Sequence, residues 1–345
     1  MMKMYKVISI IGTRPQYIKI KPFYDFCKQQ KDIEHLILDT QQHYSPAVSS
    51  EIIADLGLEI DYFLQSANAN EIDFMADTLK ELKVILDKEQ PDFVLAYGDT
   101  NSTLCAALTC YKMGIPMGHV EANLRCNDIK VPEEVNRIFA DLISTVRFCS
   151  TKKVVNRSDF RDVFVGDLEY ELLNNLDPEV SHQSYAVMTL HRQSNTNTTR
   201  LAEVMKFCAR VPYTIKFFVH HRTKPLLQHV DIPSNIEIYD SCPYKTMASH
   251  LAACKFVITD SGGLNKTSAF FGKKCLVLRD KMEWIETERV GFALRSQDLG
   301  TKDLSWLLSP PLSRNKRFYL SPNMNPSQII YNKIMTILSY KKENK

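Results

Sequence analysis

Apolar runs of strand length alternate with stretches of helical periodicity along this whole chain, and that alternation constrains the fold more than any other feature. Tyr5 to Ile11, His35 to Asp39, Phe93 to Tyr97, Ile115 to Val120 and Val146 to Cys149 read as buried strands, and Val163 to Asp167 reads as the end of the first domain. Ala186 to Leu190, Ile215 to Val219, Ile236 to Tyr239, Phe256 to Thr259 and Cys275 to Leu278 also read as buried strands. Helical spacing marks Glu71 to Lys88, with Phe74, Met75, Leu79, Leu82 and Leu86 on one side. Ser102 to Lys112, Tyr244 to Ala253, Leu264 to Phe271, the acidic Glu283 to Arg289 and Ser327 to Tyr340 also read as helices. Strands that alternate with helices lie parallel in an α/β sheet. The expected fold is therefore α/β, two Rossmann-like doubly wound domains facing a cleft. A length of 345 residues with 44% hydrophobic side chains suffices for two cores. The polar Leu176 to Ser184, marked by Pro178, reads as the linker. The expected domains are residues 1–175 and 185–325, with 326–345 a closing helix packing back toward the first; Pro310 to Pro326 reads as loop.

Several function classes are set aside by composition. The 43 basic and 40 acidic residues nearly cancel, so the totals carry no nucleic-acid footprint. The first apolar run, Val7 to Ile11, is too short for a signal peptide, and no run reaches the length of a membrane span. A soluble cytoplasmic protein is the expectation. The nine cysteines form no CxxC pair and sit mostly inside apolar runs, as small core residues in a reduced compartment do. Cys126 is set apart only by lying close to Glu121. Neither GxGxxG nor GxxxxGK[ST] occurs, which removes the dinucleotide and P-loop signatures.

Chemistry concentrates between Tyr97 and Arg137. Asp99 and Glu121 each follow a predicted strand, with a helix between, so both stand at the carboxyl edge where open α/β sheets bind ligands. Glu133 and Glu134 open the next helix, where negative charge suits the dipole. Asp99 taken alone fits a helix cap equally well. Three acidic positions at one edge raise one another's pKa and suit proton transfer. At the first strand-to-helix turn, Gly12 permits a tight bend, and Arg14 and Lys19 place two cations at a helix N-terminus already suited to anions. Asp260-Ser261-Gly262-Gly263 lies between strand and helix, where two glycines let backbone N–H groups approach phosphate. His191 and His220 each end a strand, next to Arg192 and Arg222, and read as a polar ligand edge. No HxxxH or HExxH spacing supports zinc.

The runs GTRPQYIK, YGDTNSTLCAA, HVEANLR, VPEEVNR, VGD, TLHRQSN, TDSGGL and LRDKMEWIE, in this order over roughly residues 5 to 340, resemble the non-hydrolysing UDP-N-acetylglucosamine 2-epimerases. The GTRPQ form and the LRD-x-x-EW run resemble the branch acting on UDP-2,3-diacetamido-glucuronate. The resemblance implies a GT-B-like enzyme that eliminates UDP across C1 and C2 of the sugar and returns it after C2 is re-protonated from the other face. It implies no NAD and no metal, a UDP-sugar as the partner, a homodimer, and a place in cell-surface polysaccharide synthesis. By motif, Asp99, Glu121 and Glu133 would be the catalytic acids, with His191 a further catalytic or positioning group. Arg14, Lys19, Ser261 and Gly262 would hold the diphosphate, with Arg137 nearby. Gly263, Arg192, His220 and Thr267 complete the expected binding set. Thr267 stands where the family usually carries a glutamate that grips the ribose, Gln193-Ser194 replace a usual Arg-Glu pair, and Gln41 and Asn123 stand where glycine is common. A hydrolysing relative, a glycosyltransferase of the same build and a non-catalytic sugar-nucleotide sensor are the alternatives.

Overall fold

The computed structural model describes residues 4–42, 46–65, 70–179, 181, 183–220, 222–280, 282, 284–310 and 324–343. Of the expected features, the loop at 311–323 and the residues His43, His221 and Glu283 lie outside them. The chain divides into two compact units, one taking the residues up to Asn175 and the other beginning at Leu176.

In the first unit the strands are β1 (Tyr5–Ile11), β2 (Ile33–Asp39), β3 (Tyr62–Phe63), β4 (Phe93–Tyr97), β5 (Met117–Val120), β6 (Val146–Cys149) and β7 (Asp162–Phe164). Among the described residues they form one sheet in the order β3-β2-β1-β4-β5-β6-β7, and every pair is parallel. Burial on both faces explains the unbroken apolar runs, since Val7, Ile8, Ile10 and Ile11 of β1 and all of β4 are inaccessible to solvent. The helices are α1 (Arg14–Cys27), α2 (Pro46–Leu56), α3 (Glu71–Glu89), α4 (Asn101–Met113), α5 (Pro132–Ile143) and α6 (Leu168–Leu176). The strand expected from Ile115 starts at Met117 instead, because Pro116 has no N–H and gives only its carbonyl, to Val94. The run Val163 to Asp167 was not marked as a strand from the sequence; β7 occupies its start and stops at Phe164, ahead of Gly166 at φ 88°.

The second unit has β8 (Tyr185–Thr189), β9 (Thr214–Val219), β10 (Ile236–Asp240), β11 (Phe256–Thr259), β12 (Lys274–Val277) and β13 (Ala293–Arg295), in the order β10-β9-β8-β11-β12-β13. Its helices are α7 (Thr198–Cys208), α8 (Tyr244–Ala253), α9 (Gly262–Phe270), α10 (Ile285–Arg289) and α11 (Thr301–Leu308). Met188, Leu201, Val204, Phe207, Phe217 and Ile258 are central to its core. The last helix, α12 (Pro326–Glu343), belongs to the first unit. There Ser327 donates from its N–H and its hydroxyl to Glu171 at 2.9 and 2.8 Å. Tyr331 donates to Asp32 at 2.6 Å, and its ring meets Phe26.

Candidate active site

In the first sheet, the chain leaves β1 toward one edge and β4 toward the other, so the loops after these two neighbours open a crevice at the carboxyl ends. Gly12 follows β1 in a crowded place, because a Cβ there would stand 2.1 Å from Thr40 Oγ1 and 2.4 Å from Ser102 Oγ, so that a larger residue would have to displace them. Arg14 and Pro15 open α1, and Arg14 is exposed. Gln16 stitches the two loops together. Its Oε1 accepts from the N–H groups of Gly12 at 2.8 Å and Thr13 at 3.0 Å. Its Nε2 donates to the Tyr97 carbonyl and to Thr100 Oγ1.

After β4, Gly98 turns the chain at φ 67°, a left-handed conformation glycine takes without strain. The cap of α4 is Thr100, whose hydroxyl accepts from the Thr103 N–H. Asp99 is therefore not a cap, and its carboxylate faces elsewhere: Arg137 Nη1 donates to Asp99 Oδ2. Partial burial pushes the Asp99 carboxyl up from the usual carboxylate range; Lys19 and Arg137 oppose that shift, while Glu121 and Glu133 add to it. After β5, Glu121 lies 8% exposed with its Oε2 paired to Lys19 Nζ. Its backbone is left-handed at φ 64°, as are Asn123 at 63° and Gln41 at 55°. The two positions where glycine was expected by family likeness thus keep the glycine conformation without the glycine.

Helix α5 brings the remaining groups. Glu133 is exposed in its first turn, whereas Glu134 is 1% exposed and accepts from the N–H groups of Cys126 and Asn127 at 3.0 Å each. Arg137 Nε donates to Glu134 Oε2 at 3.0 Å, and Asn136 Nδ2 donates to the Asp99 carbonyl at 3.0 Å. Cys126 is exposed, with its sulfur 3.7 Å from Arg137 Nη2. Gln16 and Asn136 were not singled out from the sequence, although GTRPQ and PEEVNR contain them, and Glu134 was read only as a helix-opening charge. What would have tied Glu134 to the expected Arg137 is their i, i+3 spacing on one helical face.

The second unit repeats the opening between β8 and β11. Asp260 is fully buried and accepts from the N–H groups of His191 and Arg192, from Asn195 Nδ2 and from His191 Nδ1 at 2.9 Å. Burial alone would push its carboxyl up, but His191 and these N–H donors outweigh it and hold it low. The His191 ring is 5.8 Å from that of His220, and Arg192 is exposed. Helix α9 begins at Gly262, two residues earlier than the sequence suggested, so Gly262 and Gly263 form its first turn and Ser261 its cap. Ser261 Oγ accepts from the Leu264 N–H at 3.3 Å. A helix start with two glycines and a hydroxyl is a ready anion site. Thr267 is buried and donates to the Gly263 carbonyl at 3.0 Å. The acids and cations Asp99, Glu121, Glu133, Arg14, Lys19 and Arg137 thus fall in the first unit, and His191, Arg192, His220, Ser261, Gly262, Gly263 and Thr267 in the second.

Comparison with known proteins gives the chain its relatives. The UDP-2,3-diacetamido-2,3-dideoxy-D-glucuronate 2-epimerase of Pseudomonas aeruginosa is 31% identical over 306 residues, which are 83% of this chain and 86% of that protein. The crystal structure of Methanocaldococcus jannaschii UDP-GlcNAc 2-epimerase in complex with UDP-GlcNAc and UDP matches at a TM-score of 0.78 and 27% identity, over 97% of this chain and 99% of that one. That of the Neisseria meningitidis UDP-GlcNAc 2-epimerase bound to UDP-GlcNAc shares the fold, with a TM-score of 0.78 at 20% identity over 96% of this chain and 100% of that one. The UDP-N-acetylglucosamine 2-epimerase family description spans residues 25–298, from α1 past β13. With a family description that matches most of the chain and a relative at 31% identity over 83% of it, this chain belongs to the UDP-N-acetylglucosamine 2-epimerase family.

Proposed function

We propose that this chain inverts C2 of a UDP-2-acetamido sugar, of the UDP-N-acetylglucosamine or UDP-diacetamido-glucuronate type, by eliminating UDP and adding it back. The observation that carries this reading is the pair of carboxylates on neighbouring strand ends, Asp99 beside Arg137 and Glu121 beside Lys19. A C2 hydrogen next to an acetamido group is barely acidic, so direct removal is costly. Breaking the C1–O bond first builds positive charge at C1 and makes that hydrogen easier to take. Carboxylates stabilise the charge and carry the proton, while cations and N–H donors stabilise the departing diphosphate. In this reading Asp99, Glu121 and Glu133 transfer the proton on the two faces of a 2-acetamidoglycal intermediate. His191, held by Asp260, acts as a further catalytic or positioning group. Arg14, Lys19, Arg137, Ser261, Gly262 and Gly263 bind the diphosphate end, and Arg192, His220 and Thr267 complete the binding set. The acids belong to a domain of residues 1–175 and nucleotide binding to 185–325, with 326–345 as the closing helix.

Incubation with each of the two UDP-sugars in D2O tests the proposal. Deuterium should enter C2 and both epimers should accumulate with UDP still attached. No exchange in either sugar overturns the reading, and release of UDP with a free manno sugar would make the chain a hydrolysing enzyme. A homodimer in the cytoplasm belongs to the same proposal. Its support is the outward face of α5, where Val135, Ile138, Phe139 and Leu142 are 37%, 38%, 46% and 64% exposed, an apolar surface suited to a second copy. Light scattering that reports a monomer at micromolar concentration would remove the dimer.

A further inference from the structure

We infer that Asp141 is a positioning residue that, acting with His119, holds the three acid-bearing segments of the first unit in one arrangement. The inference takes its catalytic meaning from the epimerase reading above, while its geometry stands by itself. Asp141 sits on α5 and is 1% exposed. Its Oδ1 lies 2.6 Å from His119 Nδ1, and its Oδ2 accepts from the Asn123 N–H at 3.0 Å and from Arg125 Nη1 at 2.6 Å. His119 is fully buried in β5, and its other ring nitrogen, Nε2, lies 2.6 Å from the Gly98 carbonyl oxygen. One buried carboxylate therefore ties together the helix that carries Glu133 and Arg137 and the turn that carries Glu121. Through one imidazole it also reaches the peptide that precedes Asp99.

The backbone shows why such a tie is needed. Glu121 and Asn123 both hold left-handed φ angles, 64° and 63°, within three residues. Non-glycine residues are strained in that region and persist only where the surroundings over-determine them. His119 and Asn123 flank Glu121, and both are bound to Asp141. A half-buried histidine of the same unit shows the contrast. His35 reaches Ser9 at 2.8 Å, and Ser9 reaches Tyr97; that chain of contacts touches no acid-bearing turn. Reacting groups displaced by 1 Å lose about a hundredfold in rate, so what holds these turns should show in kcat before it shows in binding.

The full-length chain tests this with Asp141→Asn, His119→Asn and His119→Gln. The asparagine keeps a donor toward Asp141 and loses the one toward Gly98, and the glutamine does the reverse. Leu86→Ala, a core truncation in α3, is the control for lost stability alone. The expected result is a fall in kcat of roughly tenfold or more in all three variants. UDP affinity should stay within about twofold of wild type. The control should keep its kcat at a comparable loss of Tm. The readout independent of turnover is the carboxyl 13C titration of Asp99. Loosening the turn admits water, so the midpoint should drop toward the ordinary carboxylate value by roughly half a pH unit or more in the variants, and stay put in the control. A retained kcat in the three variants, or an unmoved Asp99 midpoint, overturns the inference. If Asp141→Asn does not fold, the two His119 variants decide. A wild type that turns over neither UDP-sugar while the midpoint still moves defeats the epimerase reading and leaves the positioning role standing.

Discussion

The two sheets open at equivalent places, between β1 and β4 in one unit and between β8 and β11 in the other, yet the carboxylates standing there do opposite things. Asp260 has no solvent exposure and is saturated with donors from His191, Arg192 and Asn195, which keep it ionised and keep the loop closed around it. Asp99 is half-buried, its described side-chain partner is Arg137, and two other acids lie close enough to push its carboxyl up. The same topology thus holds one carboxylate as scaffold and another as a group able to change its protonation state. Donor count and neighbouring charge decide which role each takes. The glycines differ in the same way. Gly12 is enclosed, whereas among the described residues a Cβ at Gly263 would meet Ser261 Oγ alone, at 3.8 Å, leaving the backbone N–H groups approachable.

The contrast breaks first, and by the largest margin, at the acids. Asp99→Asn and Glu121→Gln should each lower kcat by about a thousandfold while UDP affinity changes little; near-normal rates would strip both of their role. Next comes the glycine pair, read by urea denaturation. Gly12→Ala should cost about 1–3 kcal/mol by forcing a Cβ onto Thr40 and Ser102. Gly263→Ala should stay within about 1 kcal/mol of wild type. Equal effects would show that the two turns are not built differently. Ser261→Ala should weaken UDP binding by about tenfold in calorimetry, and unchanged affinity would remove the hydroxyl from the anion site. The smallest effect concerns pH. Lys19 lowers the Asp99 carboxyl, so Lys19→Met should raise it further and move the acid limb of kcat/KM upward by roughly half to one pH unit. An unmoved limb would detach that limb from Asp99.

Much of the fold was legible because strands buried on both faces are written as unbroken apolar runs; β1, β4, β6 and β11 match their predicted limits. Elements outside that pattern were missed. β3 has two residues and β13 three, too short for periodicity to mark. Helix α7 did carry a signal, the Asn197 cap that accepts from the Arg200 N–H, followed by Leu201, Val204, Met205 and Cys208 on a buried face. The acids and the glycine turn were legible from their placement after strands. The groups that hold them were not. In α5 the buried side carries Glu134, Arg137 and Asp141, while Val135, Phe139 and Leu142 face outward, the reverse of the usual amphipathic helix. A rule that puts apolar side chains inward discards Asp141 as solvated charge, and it leaves Glu134 as a helix-opening charge and Arg137 to be found by motif alone. His119 likewise reads as one more member of a strand, since nothing in its neighbours announces the Gly98 carbonyl.

The left-handed backbone at Glu121 sets comfort of the chain against usefulness of the side chain. A selection for heat resistance would draw this position toward glycine, which adopts the angle freely, whereas in the proposed role of Glu121 as a proton carrier a selection for turnover would draw it back to glutamate. Laboratory evolution run under alternating regimes should therefore see this codon oscillate while its neighbours drift.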